Sequence, residues 1–278
     1  MSSMGEISVE IRAEIAQFKA SMQEATEELR KMSKKAKRES DETANSFVSM
    51  AKKVSGAIKA YLVVKGFDLV IDGIKEVTRV FNSFESATVG LQSILEAQGR
   101  SFAGAKKFID EYTKDGLIPL NEAVTAYKSL TARGYSDSQI QSTLVRLKDA
   151  AAFGRQSSLT IGEAVRSASE GLKNENSILV DNAGVTKNVS MMWAEYAKSI
   201  GVGEKSLTKV QKIQAEVNGI MEETKFQTGD AAKYSETLGG KMAAVAAQTL
   251  QLKNAIGSAL APMLERILPI VTEATIRF

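Results

Sequence analysis

Carboxylates are the side chains of this sequence best able to do acid–base chemistry, because the chain contains neither histidine nor cysteine. Glu163, Glu170 and Glu175 lie close together in the sequence, and two carboxylates can act as the acid and the base of a cell-wall glycosidase. The same three residues fall on a capped helix and a polar loop, where glutamate has ordinary structural roles. We therefore predict no catalytic residue, no cofactor-binding residue and no metal ligand, and a protein that is not an enzyme.

The missing residue types exclude several further classes of site. Structural zinc sites need thiolate or imidazole ligands, and both Ser-His-Asp and Cys-His nucleophile pairs need an imidazole base. Most haem and iron–sulfur proteins also use one of these two residue types. Carboxylate, lysine, serine and tyrosine chemistry remains, together with metal binding through oxygen atoms alone, and we expect no cofactor.

A short segment in the second half of the chain is the part of the sequence that most resembles a catalytic or cation-binding loop. Residues 178–180 form an apolar run, which predicts an extended segment that enters a turn at residues 181–185. Asp181 and Asn182 are the polar residues of that turn. Because Asp and Asn are common wherever a turn needs bonds from side chain to backbone, we favour the turn interpretation over a functional site.

The charge of the chain is nearly balanced, with 36 basic and 33 acidic residues and a net charge of +3. A protein this balanced is not expected to bind nucleic acid specifically. One local excess interrupts the balance, at Lys31, Lys34, Lys35, Lys37 and Arg38. A solvated helix face is the simpler interpretation and contact with phosphate or an acidic partner is the alternative. No aromatic residue lies between these cations to stack on a base.

Apolar spacing predicts a mainly α fold with one short N-terminal strand, and the alternative is that residues 10–18 already begin the first helix. With only three prolines in 278 residues, long helices are expected. Residues 7–15 alternate between apolar and polar side chains, which is typical of a strand. Heptad-like steps of three and four residues follow, which predict a helix whose narrow apolar stripe packs on another helix. The stripe consists of Phe18, Met22, Ala25, Leu29, Met32 and Ala36, and then of Phe47, Met50, Val54, Ala57 and Tyr61.

Four regions follow from these patterns. Residues 1–60 are expected to hold the strand and the heptad-like helix in an elongated arrangement, and residues 61–98 an apolar connecting helix. Residues 99–240 are expected to form a helical core domain, with capping boxes at Ser136 and Thr160 and a helix-ending glycine at Gly134. Residues 241–278 read as heptad-like and apolar helices with an abrupt end that looks like a truncation. The second stripe consists of Met242, Val245, Thr249, Leu252, Ile256 and Ala259.

Membrane activity is the alternative function that the apolar segments raise. Residues 1–14 lack the apolar core of a signal peptide. The most apolar window, residues 60–80, carries six charged residues and is too polar to span a bilayer. Residues 60–80 and 261–271 are amphipathic or short, so binding to a membrane surface is more plausible than insertion. The alternative is therefore a membrane-active helical protein involved in DNA ejection or pore formation.

Three blocks of sequence resemble the tail tape-measure proteins of long-tailed bacteriophages and prophages. The first block is residues 121–136, and the second is the turn at residues 181–185 followed by residues 196–201. The third runs from residues 229–234 to residues 252–262. Their order and spacing agree with that family over roughly residues 85–270, and the N-terminal strand and heptad helices are similar to the start of such proteins. The chain resembles the N-terminal and core region of a tape-measure protein, or a shortened prophage remnant.

The resemblance implies a structural role in tail assembly and in tail-length determination inside the tail tube. It implies contacts with tail tube, tail tip and tail assembly chaperone proteins, together with self-association. Contact with the host membrane is implied during DNA ejection. The expected location is the virion tail, and the host cytoplasm during assembly.

Overall fold

The structure, a computed structural model, describes the backbone of residues 66–276 and the side chains of residues 76–251, 253–258 and 261. The predicted strand at residues 7–15, the stripe residues between 18 and 61 and the basic run at residues 31–38 lie outside the described residues.

Regular structure between residues 66 and 276 is helical throughout, with no strand in this part of the chain, which confirms the mainly α prediction. Single turns of 3₁₀ helix occur at Glu204–Ser206 and Lys225–Gln227. The α-helices are α1 (Gly66–Ala97), α2 (Phe102–Tyr112), α3 (Leu120–Arg133), α4 (Asp137–Gly154), α5 (Ile161–Asn174), α6 (Ser177–Asp181), α7 (Val189–Ser199), α8 (Lys209–Glu223), α9 (Asp230–Glu236) and α10 (Leu238–Ile276).

The described residues divide into two compact units. One is Ser83–Gln251, and the other contains residues 66–82 and 252–276. In the second unit Gly257 of α10 lies against α1, where an added Cβ would come within 2.3 Å of Phe81 Cβ. Lys253 Nζ of α10 lies 3.1 Å from Glu76 Oε1 of α1. Hydrogen bonds from Arg79 and then from Lys253 lower the pKa of Glu76 to about 2.

The core of the Ser83–Gln251 unit is built around α3, α4 and α5. Helix α3 packs on α5, and α4 contacts α3, α5, α8 and α9. Apolar side chains from every one of these packed helices are removed from water, and each large one contributes about 1.5–3 kcal/mol. The largest fully buried side chains are Tyr127, Tyr135, Leu91, Leu95, Leu117, Ile118, Leu130, Ile140, Leu144, Leu147, Ile161 and Leu172.

The predicted helix boundaries in this unit are largely confirmed. Both capping boxes are present: the Ser136 and Thr160 hydroxyls accept from the backbone N–H of Gln139 and Glu163, whose side chains accept from the backbone N–H of the capping residues. Gly134 ends α3 with a φ of 107°, which a residue without Cβ adopts most easily. A third capping box, between Thr208 and Gln211, starts α8.

The prediction of an extended segment at residues 178–180 was wrong, because these residues belong to the short helix α6. The side chain of Asn176 accepts a hydrogen bond from Ile178 N at 3.1 Å and so caps this helix. Val180 is buried against α5, and Gly171 of α5 permits the approach, since an added Cβ there would lie 2.8 Å from Val180 Cγ2. Packing, rather than local alternation, decides the structure of this segment.

Apolar residues at helical spacing between residues 206 and 226 predict one continuous helix, but α8 begins only at Lys209 and ends at Glu223. A proline at position 262 predicts the start or a kink of a helix, and no helix starts there, because α10 continues through Pro262. The turn at Gly229 leads into the unpredicted helix α9, whose first backbone N–H groups are held by buried Asp149. Its carboxylate accepts from Gly229 N at 3.0 Å and from Ala231 N at 3.1 Å.

Candidate functional site

A fully buried carboxylate, Glu216 of α8, lies at the centre of a polar cluster in the Ser83–Gln251 unit. Tyr135 Oη donates to Glu216 Oε2 at 2.5 Å. Arg133 Nη2 and Trp193 Nε1 donate to Glu216 Oε1 at 3.0 and 3.1 Å. The cluster therefore ties α8 to α7 and to the end of α3.

Burial and hydrogen bonding act in opposite directions on the Glu216 carboxyl. Burial raises its pKa, the bonds from Tyr135, Arg133 and Trp193 lower it, and the pKa remains above its ordinary value. Burial alone would lower the pKa of Arg133, but Glu216 and Glu175 raise it. Burial and the nearby Glu216 raise the pKa of the Tyr135 hydroxyl. A carboxylate held by three donors and closed to solvent is suited to fixing helices and has no access to an external substrate.

Arg133 also connects the cluster to the surface through Glu175. Its Nη2 lies 2.8 Å from Glu175 Oε1, while the Arg133 side chain is only 10% exposed. Glu175 follows α5 in the left-handed conformation, with φ 58° and ψ 34°. Glycine is the usual residue at such a position because a Cβ is strained there. The glutamate thus combines a strained backbone with an ion pair to a buried guanidinium.

Replacing Glu175 with alanine and with glycine separates these two contributions. Both substitutions remove the ion pair with Arg133, but only alanine keeps a Cβ in the left-handed conformation. We expect the glycine variant to be more stable than the alanine variant by about 1 kcal/mol. Urea unfolding followed by circular dichroism measures the difference. An alanine variant as stable as the glycine variant would show that the left-handed backbone at residue 175 is not strained.

The three glutamates considered from the sequence are each engaged by a different partner. Glu163 Oε2 accepts from Thr160 N at 2.9 Å, within the capping box of α5. Glu170 Oε1 accepts from Arg166 Nη1 at 3.1 Å, and Glu175 pairs with Arg133. Arg166 also contacts Glu122. Burial raises the pKa of the Glu122 carboxyl. The contacts of the three glutamates are a capping bond and two ion pairs.

The turn at Asp181 and Asn182 makes hydrogen bonds within itself, to α5 and to the segment that follows α4. Asn182 Nδ2 donates to Ser167 Oγ at 2.7 Å, and the carbonyl oxygen of Asn182 accepts from Gln156 N at 3.1 Å. The carbonyl oxygen of Asp181 accepts from Gly184 N at 2.7 Å. Gly184 completes the turn with a φ of 82°. Within residues 76–251 and the other described side chains, no group of acidic residues could hold a metal ion.

Glu216 was not predicted as a site residue from the sequence, although its position on the helix indicates that it is buried. It lies three residues after Ile213 and four before Ile220, both of which are buried. A charged residue on the apolar face of a helix is expected to find a buried partner. Val210, which the same spacing places on this face, is instead 73% exposed.

Helix α10 carries the second notable feature, an exposed apolar face. Leu238, Met242 and Val245 are 76%, 65% and 47% exposed, although the spacing of Met242 and Val245 predicts a packed stripe. Small residues form the packed side of this part of the helix, where Gly240 and Ala247 are buried. A shallow depression lined by Lys241, Met242 and Val245 lies on the exposed side. We refer to Leu238, Met242 and Val245 as the α10 face.

Fold and site together define a mainly α domain whose helices are joined by a buried polar cluster and whose last described helix presents an apolar face. The chain matches no protein-family model, and comparisons with curated proteins and with solved structures find no match either. None of the described helices is both long enough and apolar enough to cross a membrane.

Proposed function

We propose that this chain is a structural protein of a bacteriophage or prophage tail, of the tape-measure kind, or a shortened prophage remnant of one. It acts in tail assembly and in the determination of tail length inside the tail tube. Its partners are tail tube, tail tip and tail assembly chaperone proteins, and further copies of the chain. It resides in the virion tail, and in the host cytoplasm while the tail is assembled.

The observation that carries this proposal is the ordered succession of three sequence blocks. The first occupies α3 and the turn through Gly134 to Ser136. The second occupies the turn after α6 and the C-terminal part of α7, and the third begins at Gly229 and continues through α9 into α10. The support therefore lies in the order of the blocks along the chain, since the second and third blocks each cover only part of a helix.

The α10 face supports a role in assembly. Large apolar side chains on a helix surface are costly to expose and are typical of sites where another protein binds. Their spacing of four and three residues is the spacing by which one helix packs on another. Both carboxylate oxygens of Glu216 accept hydrogen bonds from side chains inside the fold, which is consistent with a scaffold rather than a catalyst.

Deleting the gene in the strain that encodes it is expected to abolish tails. A tape-measure protein is needed to build the tail tube, so induced cultures should yield heads without tails when viewed by electron microscopy. Antibodies against the chain should detect it in purified wild-type particles. The deletion strain complemented with the intact chain is the control, and its tails should return to wild-type length. Normal tails after deletion, or particles that lack the chain, would refute the proposal.

Self-association through the α10 face can be tested with single cysteines, because the natural chain has none. In an oxidising buffer we expect most of the Met242→Cys chain to form a disulfide-linked dimer on non-reducing gels. Val245→Cys, on the same face, should behave in the same way. A disulfide forms only where two Cα atoms come within about 7 Å, so the bond reports close pairing of this face.

Lys107→Cys provides the matched control, since Lys107 is also exposed but lies on α2. It should remain monomeric under the same conditions. If Lys107→Cys formed as much dimer as Met242→Cys, the disulfides would result from random collision. If neither Met242→Cys nor Val245→Cys forms a dimer, the α10 face is not a site of self-association.

A further inference from the structure

We draw no further inference here: the strongest candidate, the aromatic patch that exposed Phe153 and half-buried Tyr234 form beside Arg155 at the end of α4, is an apolar surface, and nothing in the structure shows what covers it.

Discussion

The Glu216→Ala variant is expected to lose about 3–5 kcal/mol of its free energy of unfolding. The substitution removes the acceptor for Tyr135 Oη and Trp193 Nε1 and one of the two carboxylates that pair with Arg133. Buried donors that lose their acceptor keep the full cost of leaving water. Urea unfolding followed by circular dichroism gives the free energy.

Glu216→Gln is expected to lie between the wild type and the alanine variant. Its amide oxygen can still accept from Arg133 and Trp193, and its amide nitrogen can donate to Tyr135 Oη. The ion pair with Arg133 is lost, so stability does not return fully. Glu204→Ala is the control, because Glu204 is exposed in a 3₁₀ turn. It should change stability by no more than about 0.5 kcal/mol. A Glu216→Ala variant that behaves like this control would contradict the role of the cluster.

The second large loss of stability is expected from Gly184→Ala in the turn after α6. Its φ of 82° costs an alanine about 1–2 kcal/mol. An added Cβ would also lie 2.7 Å from the carbonyl carbon of Gly154, which is backbone and cannot rotate away. The displacement needed adds about 1–3 kcal/mol. We therefore expect a total loss of about 2–5 kcal/mol in the same unfolding measurement.

Gly201→Ala is the matched control for this prediction. Gly201 has a φ of 73°, but an added Cβ there would meet no atom within 4 Å. It should show the backbone cost alone, about 1–2 kcal/mol. The difference between the two variants measures the contact between Gly184 and Gly154. Equal losses would mean that the turn moves apart at little cost.

Helix boundaries were the part of the fold that the sequence predicted best, because capping is local. The boxes at Ser136 and Thr160 and the glycine at Gly134 use residues no more than three positions apart or a single backbone angle. Helix α6 could not be found in this way. A helix of five residues forms only when packing offsets the free-energy cost of helix nucleation. Here Val180 packs against α5 at Gly171.

The buried cluster could not be predicted from spacing, because its members are distant in sequence. Glu216 lies 83 residues from Arg133 and 81 from Tyr135. The position of Glu216 on an apolar helix face indicates that it needs a partner but not which one.

A similar limit applies to α10. The heptad pattern places Met242 and Val245 on the same side of the helix, as the structure does. Which side of the helix packs was decided instead by small residues that permit close approach, such as Ala244 opposite Gly116.

Trp193 is the only tryptophan of the chain, and its indole N–H is bound to Glu216. Lys212 Nζ lies 4.0 Å from the centre of its ring. The intrinsic tryptophan emission of the whole protein therefore originates at one place, beside a carboxylate and an ammonium group. The molecule contains its own optical probe of whether α7 and α8 remain joined, without any label being attached.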